Sequence, residues 1–323
     1  MADKKQNSAA ANDTQFYTKP PELGKWESFR IFLWNPDTSQ FLGRTASSWA
    51  KILFFYICFY AVLIGFFATM LTVFYQTLDY KVPKWQLDRS LIGTNPGLGF
   101  RPMPPEINVE STLVWYKSAN NENIKYWSEE LDKFLVAYNK SNNPHADRLI
   151  DCAPYTPPPN DKVCDVKIDQ SWYPCVPLER YSYNTTAAGP CIFLKLNRIY
   201  NWVPEYYNTT NLPADTKDYL KKAIQDETRK SSDTKMVWVT CEGENVADKE
   251  HIGPIRYIPQ RGFPSQYFPY KNQEGYLSPL VAVHFEKPAR NVLINIECKA
   301  WAKNIIHDRA ERRGSVHFEL LVD

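Results

Sequence analysis

The fold of this chain is decided by the stretch Ile52-Leu53-Phe54-Phe55-Tyr56-Ile57-Cys58-Phe59-Tyr60-Ala61-Val62-Leu63-Ile64-Gly65-Phe66-Phe67. It opens a longer segment, from Ile52 to Leu78, that contains no Asp, Glu, Lys, Arg or His. The hydrocarbon core of a bilayer is about 30 Å thick and is spanned by about 20 apolar residues in a helix. In lipid, the backbone N–H and C=O groups of such a segment find partners only inside a helix or a closed barrel. The sequence therefore predicts one membrane-spanning helix over residues 52–78.

Two other kinds of apolar segment fit this stretch less well. A signal peptide lies within the first 15 to 30 residues of a chain, whereas this segment begins only at Ile52. A helix in the core of a soluble domain carries a polar stripe, and none is visible here. Aromatic residues flank the segment as they do at membrane interfaces, with Trp49 on one side and Tyr75, Tyr80 and Trp85 on the other.

The composition of the remainder limits the class of protein. The 323 residues have a mean hydropathy of -0.47, and 23% of them are charged, which favours a single-pass protein over a polytopic channel. The formal net charge of +2 comes from the residues before the span, and the neutral segment after it argues against a nucleic-acid partner. The 24 prolines and 20 tyrosines lie mostly after the apolar segment and favour a loop-rich β structure there.

Cysteines and glycosylation motifs predict the orientation. Of the seven cysteines, Cys58 lies in the apolar segment, and the other six follow it: Cys152, Cys164, Cys175, Cys191, Cys241 and Cys298. An even set on one side of a span is typical of three disulfides in an oxidising compartment. Asn-x-Ser/Thr motifs occur on the same side at Asn139, Asn184 and Asn208, called the sequon asparagines below, and a further match at Asn12 precedes the span.

Both signals predict a type II signal-anchor protein, although the charges flanking the span do not decide its direction. We expect residues 1–51 to form a cytoplasmic tail, residues 52–78 the transmembrane signal-anchor helix, and residues 79–323 an extracellular, disulfide-bonded and glycosylated domain. The first 24 residues are polar and without periodicity, which predicts disorder. The aromatic cluster from Trp26 to Trp34 is explained equally well by a short amphipathic turn at the inner membrane face and by a segment that only a partner orders.

Periodicity places helices and strands after the span. Helical spacing predicts one surface helix from Ile124 to Tyr138 and a short one that starts at Asp215 as N-cap and runs through Ile224. The glycine-rich stretch Gly93–Pro102 is interpreted as a turn-rich connector. Alternation with β-branched and aromatic residues predicts four strands of an antiparallel sheet or sandwich, at residues 236–241, 280–285, 292–298 and 316–322. A Cys241–Cys298 bridge would tie an early strand to a late one.

Two side-chain patterns inside the span predict contacts with other helices. Ala61, Gly65 and Thr69 recur at every fourth position, a small-residue spacing that lets two helix backbones approach closely. Tyr56 and Tyr60 form another stripe, with Phe59 beside them. Because a tyrosine hydroxyl in hydrocarbon needs a hydrogen-bond partner, this stripe indicates a neighbouring protein helix, although an aromatic-rich span also produces such spacing by chance.

The sequence contains no signature of catalysis or of a metal site. The five histidines are scattered, and neither CxxC nor HExxH occurs, so a metal site is not predicted and no cofactor is expected. GxSxG and the nucleotide-binding glycine patterns are also absent from the sequence. A carboxylate pair for glycoside hydrolysis stays open, with solvated surface acids as the simpler explanation. A helper, adhesion or receptor role therefore fits better than catalysis.

Several motifs, in order along the chain, resemble the β subunit of the sodium/potassium-transporting P-type ATPase, particularly its insect form. The resemblance covers about residue 36 to the end of the chain. The matching stretches are Phe41-Leu42-Gly43-Arg44-Thr45, Ser48-Trp49, Lys51-Ile52-Leu53, Phe55-Tyr56, Phe59-Tyr60, Asn95-Pro96-Gly97-Leu98-Gly99, Cys191-Ile192-Phe193-Leu194-Lys195-Leu196-Asn197-Arg198, Pro279-Leu280-Val281-Ala282-Val283 and Glu297-Cys298-Lys299-Ala300-Trp301.

The resemblance implies a non-catalytic subunit at the plasma membrane. In the family, the catalytic α subunit hydrolyses ATP, and the β subunit is needed for α to fold, assemble and reach the surface, and it tunes potassium affinity. The aromatic stripe of the family's span packs on α helices, which carries over to Tyr56, Phe59 and Tyr60. The family also implies an immunoglobulin-like sandwich with sequentially paired cysteines, where sequence alone allows fifteen connectivities: Cys152 with Cys164, Cys175 with Cys191, and Cys241 with Cys298.

The resemblance leaves other partners open. Vertebrate members carry a Tyr-Pro-Tyr-Tyr-Gly run near the α contact, where this chain has Tyr267-Phe268-Pro269-Tyr270-Lys271. A proton/potassium pump is a further candidate partner, because its β subunit shares the same plan. The alternative function is a pump-independent adhesion or septate-junction protein, with junctional proteins or a β subunit on a neighbouring cell as partners, and an ectoenzyme ranks third.

Overall fold

A computed structural model of the chain describes residues 24–105, 107, 111–184, 188–213, 216–231 and 234–323. It divides into two compact units, Met1–Leu78 and Asp79–Asp323, which are described separately. The polar stretch expected to be disordered, the sequon match at Asn12 and the expected N-cap Asp215 lie outside the described residues, except that Gly24 is described.

The described residues of the first unit, 24–78, form a short helix, a small sheet and one long helix. Helix α1 spans Lys25–Leu33, three two-residue strands follow (β1, Trp34–Asn35; β2, Gln40–Phe41; β3, Arg44–Thr45), and helix α2 spans Ala46–Gln76. The strands pair antiparallel in the order β1-β2-β3. The indole N–H of Trp49 donates to the carbonyl of Phe41 over 2.8 Å, which ties the sheet to the first turns of α2.

Helix α2 confirms the predicted apolar helix and is the one described helix that is long and apolar enough to cross a membrane. It begins at Ala46, earlier than the predicted Ile52, and ends at Gln76 rather than Leu78. The earlier start is physically reasonable because a helix can extend past the edge of the hydrocarbon into a polar interface. None of its residues is buried by the rest of the chain.

The second unit is mainly β. Its described strands are β4 (Leu98–Arg101), β5 (Leu113–Tyr116), β6 (Leu149–Ile150), β7 (Val163–Cys164), β8 (Cys191–Leu196), β9 (Met236–Gly243), β10 (Ile255–Ile258), β11 (Gly262–Pro264), β12 (Leu280–Phe285), β13 (Leu293–Trp301) and β14 (Ser315–Val322). One sheet has the order β10-β12-β8-β4, a second has the order β11-β9-β13-β14-β5, and β6 pairs with β7. Within the two larger sheets, the β14–β5 pair is parallel and the others are antiparallel.

The two larger sheets share one hydrophobic core. Phe318 on β14 stacks against Phe100 on β4 at 5.0 Å between ring centroids, and it contacts Phe285 on β12 at 6.1 Å. Strand β13 shows why the pattern was readable, since every second residue from Ile294 to Ala300 is buried. Alternating burial of this kind is what packs one face of a sheet on a core.

Three α-helices accompany the sheets in the described part of the second unit. Helix α3 spans Asn121–Leu135, a 3-10 turn continues it to Tyr138, and Asn120 caps it by accepting from two backbone N–H groups. Helix α4 spans Asp218–Lys230 and buries Leu220 and Ile224 beside Trp238 of β9. Both predicted helices are therefore present, and α4 starts later than the sequence indicated. A third helix, α5 (Val246–His251), was not predicted; it is less than two turns long and is held by a capping box at Asn245.

The interpretation of Gly93–Pro102 as a connector was partly wrong. Residues Leu98–Arg101 form strand β4, in which Leu98 and Phe100 are buried and pair with Leu196 and Leu194 of β8. The glycines hid this strand because they weaken strand propensity, whereas pairing with a strand far away in the sequence is enough to order it.

The three disulfides join the cysteines in the pairing that the resemblance implied: Cys152–Cys164, Cys175–Cys191 and Cys241–Cys298. The third bridge ties β9 to β13, and its two cysteines lie directly opposite each other in the strand register. Cys58, on α2, is the one free cysteine among the described residues.

Candidate functional site

The aromatic face of α2 contains Tyr56, Phe59 and Tyr60. Tyr56 and Tyr60 lie one turn apart and stack at 6.1 Å between ring centroids, with 25° between the ring planes. Phe59 meets Tyr60 edge-on at 5.4 Å. The three side chains are 49%, 49% and 54% exposed, so a large part of each ring is left for another molecule.

The tyrosine hydroxyls on this face have no hydrogen-bond partner in the described part of the chain. The two threonines further along α2 differ, because their hydroxyls donate to the helix itself: Thr69 to the carbonyl of Gly65 and Thr72 to that of Ala68, each over 2.8 Å. A threonine can satisfy itself in this way, but the long tyrosine side chain places its hydroxyl away from its own backbone.

The small-residue stripe lies on the other side of α2. At 3.6 residues per turn, Gly65 is half a turn away from the direction of Tyr56. A Cβ atom built on Gly65 would meet no atom within 4 Å, so the chain itself leaves this surface open. Ala61 and Thr69, one turn to either side of Gly65, are also exposed. The helix therefore presents two different surfaces, one aromatic with hydroxyls and one nearly smooth.

The sequon asparagines all lie on the second unit and are exposed. Asn139 caps a short 3-10 turn, with its side-chain oxygen accepting from the N–H of Ser141. The side-chain oxygen of Asn208 accepts from the N–H and the hydroxyl of Thr210, the third residue of its motif. Each is therefore placed where an attached glycan would point into solvent.

The Tyr267–Lys271 segment, where the chain departs from the vertebrate pattern, is packed by aromatic contacts. Tyr270 meets Tyr276 at 4.9 Å between centroids, and the guanidinium of Arg198 lies 5.3 and 5.2 Å from these two rings. The hydroxyl of Tyr267 donates to the carbonyl of Asp165 over 2.8 Å. The sequence showed that the segment containing Tyr270 departs from the vertebrate pattern. It did not show that Arg198, far away in the sequence, contacts this tyrosine.

Ser182 and His284 form the arrangement most similar to a catalytic pair. The Ser182 hydroxyl lies 3.2 Å from Nε2 of His284, and both side chains are buried. Nδ1 of His284 lies 3.3 Å from the guanidinium of Arg256, which can only donate, so Nδ1 accepts and Nε2 carries the proton. A protonated Nε2 donates to the serine and cannot remove its proton.

The environment of His284 also keeps the ring uncharged. Burial, helped by the positive charge of Arg256, lowers the pKa of His284 to about 4. A catalytic triad instead places a carboxylate at Nδ1 to stabilise the imidazolium. The pair is therefore a structural contact between β12 and the turn before β8.

No group of three or more His, Cys, Asp or Glu side chains is placed to hold a metal ion within the described ranges. Among the described residues, helix α2 presents a long exposed apolar surface, and its length and composition are sufficient to cross a membrane.

Comparison with known proteins agrees with this picture. The family model described as "Sodium / potassium ATPase beta chain" matches residues 19–318. The chain is 53% identical to sodium/potassium-transporting ATPase subunit beta-2 of Drosophila melanogaster, with 96% of each chain covered. It is 40% identical to subunit beta-1 of the same fly, over 94% of this chain and 95% of the relative, and 30% identical to human subunit beta-2, over 92% and 94%. With one apolar helix, three disulfides and a match that covers nearly the whole chain, the protein belongs to the sodium/potassium ATPase beta chain family.

Proposed function

We propose that this chain is the non-catalytic β subunit of a sodium/potassium pump. In this role it binds the catalytic α subunit in the membrane, supports the folding, assembly and plasma-membrane delivery of α, and modulates potassium affinity. ATP hydrolysis belongs to α. Membership of the family supports this role.

The observation that carries the proposal is the unsatisfied aromatic face of α2. Tyr56 and Tyr60 place two hydroxyls in a segment without charged residues, where neither lipid tails nor the described part of the chain offers an acceptor. A polar group in hydrocarbon is stabilised by a hydrogen bond across a helix interface. The aromatic face, which also includes Phe59, is therefore the surface on which a transmembrane helix of the α subunit packs. The small-residue stripe of Ala61, Gly65 and Thr69 permits close approach of a second helix.

A type II orientation supports the same role. The three disulfides and the exposed sequon asparagines are on the second unit, and oxidation and glycosylation occur on the luminal side of the secretory pathway. Residues 1–51 are then cytoplasmic, residues 52–78 the signal anchor, and residues 79–323 extracellular and glycosylated. Two mainly antiparallel sheets around one core fit an immunoglobulin-like sandwich.

The test is recovery of α with a tagged version of this chain in mild detergent. Replacing both tyrosines, Tyr56→Ala with Tyr60→Ala, removes two interhelical hydrogen bonds of about 0.6 kcal/mol each and should lower recovery of α roughly tenfold once lost packing is included. Ile57→Ala with Ile64→Ala is the control, because these two exposed apolar residues lie on the flank of the helix between the aromatic face and the small-residue stripe.

The proposal fails if both double variants recover α equally well. Weaker recovery of the α subunit by the tyrosine variant is the result expected of the pump role, and junctions that stay intact in that variant are the result expected of the pump-independent adhesion protein. Normal surface delivery and intact junctions in cells without any α subunit would instead favour the pump-independent adhesion protein.

A further inference from the structure

A groove of about 610 Å³ lies between helix α4 and the edge strand β10. One wall is the exposed side of the helix, including Tyr219 and Lys222. The other wall is β10 with the turn that follows it, including Tyr257 and Arg261. Neither the disulfides nor the sequon asparagines line this groove, and the proposed subunit contact on α2 does not use it.

Arg261 is held between two aromatic rings. Its guanidinium lies 4.3 Å from the ring centroid of Tyr257 and 5.8 Å from that of Tyr219. Tyr257 is itself fixed, because its hydroxyl accepts from the backbone N–H of Cys241 over 2.7 Å. The backbone of Arg261 is also held, since its carbonyl accepts from Val239. A guanidinium stacked in this way keeps the edge that carries its N–H donors available for an anion.

The carboxylates that line the groove are already engaged. Glu286 forms an ion pair with Arg256 at 3.4 Å, and Asp226 forms one with Arg229 at 3.4 Å. Glu227, the third acid in the lining, is also engaged. By contrast, the structure shows no ion pair for Lys222 or Arg261 with any described residue. Lys222 and Arg261 are therefore the charged side chains of the lining for which the described residues supply no ion pair, although the formal charges of the lining balance.

Strand β10 adds backbone donors to this site. It is the outermost strand of its sheet and pairs only with β12. The N–H of Glu286 donates to the carbonyl of Pro254 over 2.9 Å, so these two residues form a hydrogen-bonded pair. In an antiparallel ladder, hydrogen-bonded pairs alternate with pairs that are not hydrogen-bonded. The next hydrogen-bonded pair is therefore Arg256 with His284, and the backbone N–H and C=O groups of Ile255 and Tyr257 point towards the open edge. An unpaired edge of this kind accepts an extended peptide as an additional strand.

We propose that this groove binds an extended acidic peptide segment, which adds to β10 as a strand and places a carboxylate on Arg261 and a second one near Lys222. Alternate residues of a strand point to the same side, so a segment with acids two positions apart presents both to the groove. Arginine and carboxylate form paired, parallel hydrogen bonds, which fixes the register of the bound strand. The partner is thus a protein that presents an acidic strand or tail to the same side of the membrane as the second unit.

The experiment uses the full chain in detergent micelles and a fluorescent, end-blocked peptide Val-Glu-Val-Glu-Val, with binding followed by anisotropy. We expect saturable binding that weakens as salt is raised and is lost with the uncharged peptide Val-Gln-Val-Gln-Val. Arg261→Gln should weaken binding roughly tenfold or more, as expected for a hydrogen bond to a charged group. Arg261→Lys should give an intermediate result because it keeps the charge without the planar donors.

Two further variants separate binding from folding. Lys222→Gln changes an exposed residue on the surface of α4 and should leave Tm unchanged, so a loss of affinity in that variant reports the lost charge. Arg309→Gln removes an exposed arginine that does not line the groove and should leave affinity unchanged. Equal binding of the Glu and Gln peptides overturns the proposal, as does unchanged affinity in Arg261→Gln or binding of a free acidic sugar but not of the peptide.

Discussion

Removing the three disulfides one at a time should lower the stability of the second unit by different amounts. The perturbation is a pair of Cys→Ala substitutions for each bridge, so that no lone thiol is left to form a wrong disulfide. A disulfide stabilises mainly by restricting the unfolded chain, and the effect increases with the length of the loop it closes. The three bridges span sequence separations of 12, 16 and 57 residues, which makes them a graded series within one protein.

The chain-entropy relation gives the expected order. For separations of 12, 16 and 57 residues it predicts losses of about 2.8, 3.1 and 4.2 kcal/mol at 25 °C. In the native state, Cys241 and Cys298 are held opposite each other by the β9–β13 ladder, with or without the bridge. The largest loss therefore arises in the unfolded state, and strands β9 and β13 stay paired in the folded variant.

Thermal unfolding of the full chain in detergent, followed by tryptophan fluorescence, measures the series. For a domain of this size, 1 kcal/mol corresponds to about 2–4 °C in Tm, so the variants without Cys241–Cys298 and without Cys152–Cys164 should differ by about 3–6 °C. Equal Tm values for all three variants, or the smallest loss for Cys241–Cys298, would refute the reasoning from loop length.

Three other predictions concern single sites. Acidification from pH 6.5 to 4 should lower the free energy of unfolding by up to about 3 kcal/mol through His284. In this range the unfolded histidine binds a proton, whereas the folded one, with its pKa lowered to about 4, does not. The His284→Gln variant should therefore lose less stability on acidification when unfolding is measured against pH. Gly243→Ala should destabilise by about 1–3 kcal/mol in the same thermal assay, because its Cβ would overlap the backbone of Asp248 and Lys249, whereas Gly65→Ala, with open space around it, should leave Tm unchanged. Each sequon asparagine changed to Gln should remove one glycan, seen as one step in gel mobility, and an unchanged mobility would show that the site carries no sugar.

Much of the fold follows from local sequence pattern. Helix α2 was predictable because the backbone of a single charge-free segment of that length can satisfy its hydrogen bonds in lipid only by forming a helix. Strand β13 and most of β14 were predictable because alternate side chains face the core. Strands β9 and β12 are buried along nearly their whole length and were recognisable by their β-branched and aromatic residues.

The missed elements depend on contacts that are distant in sequence. Strand β4 contains a glycine and follows a proline, so its local propensity is low, and pairing with β8 decides its conformation. Strands β10 and β11 were missed for the same reason, because prolines and a glycine in or beside them lower their local strand propensity. The small sheet before α2 has strands of two residues, too short for any periodicity to appear.

The candidate sites divide in the same way. The stripe formed by Tyr56 and Tyr60 was visible because helical spacing places residues one turn apart on one face. The setting of Arg261 was not visible, because Tyr219 and Tyr257 come from a helix and a strand that only the tertiary fold brings together. The pairing of the cysteines likewise became an observation only with the structure.

The most direct test of the pump-subunit role is purification of this chain by an N-terminal tag from gentle detergent, with the co-purifying proteins identified by mass spectrometry. A catalytic P-type ATPase should be recovered in a one-to-one ratio with the chain. If a glycosylated and disulfide-bonded protein reaches the cell surface and is purified without any such ATPase, the proposed function is wrong.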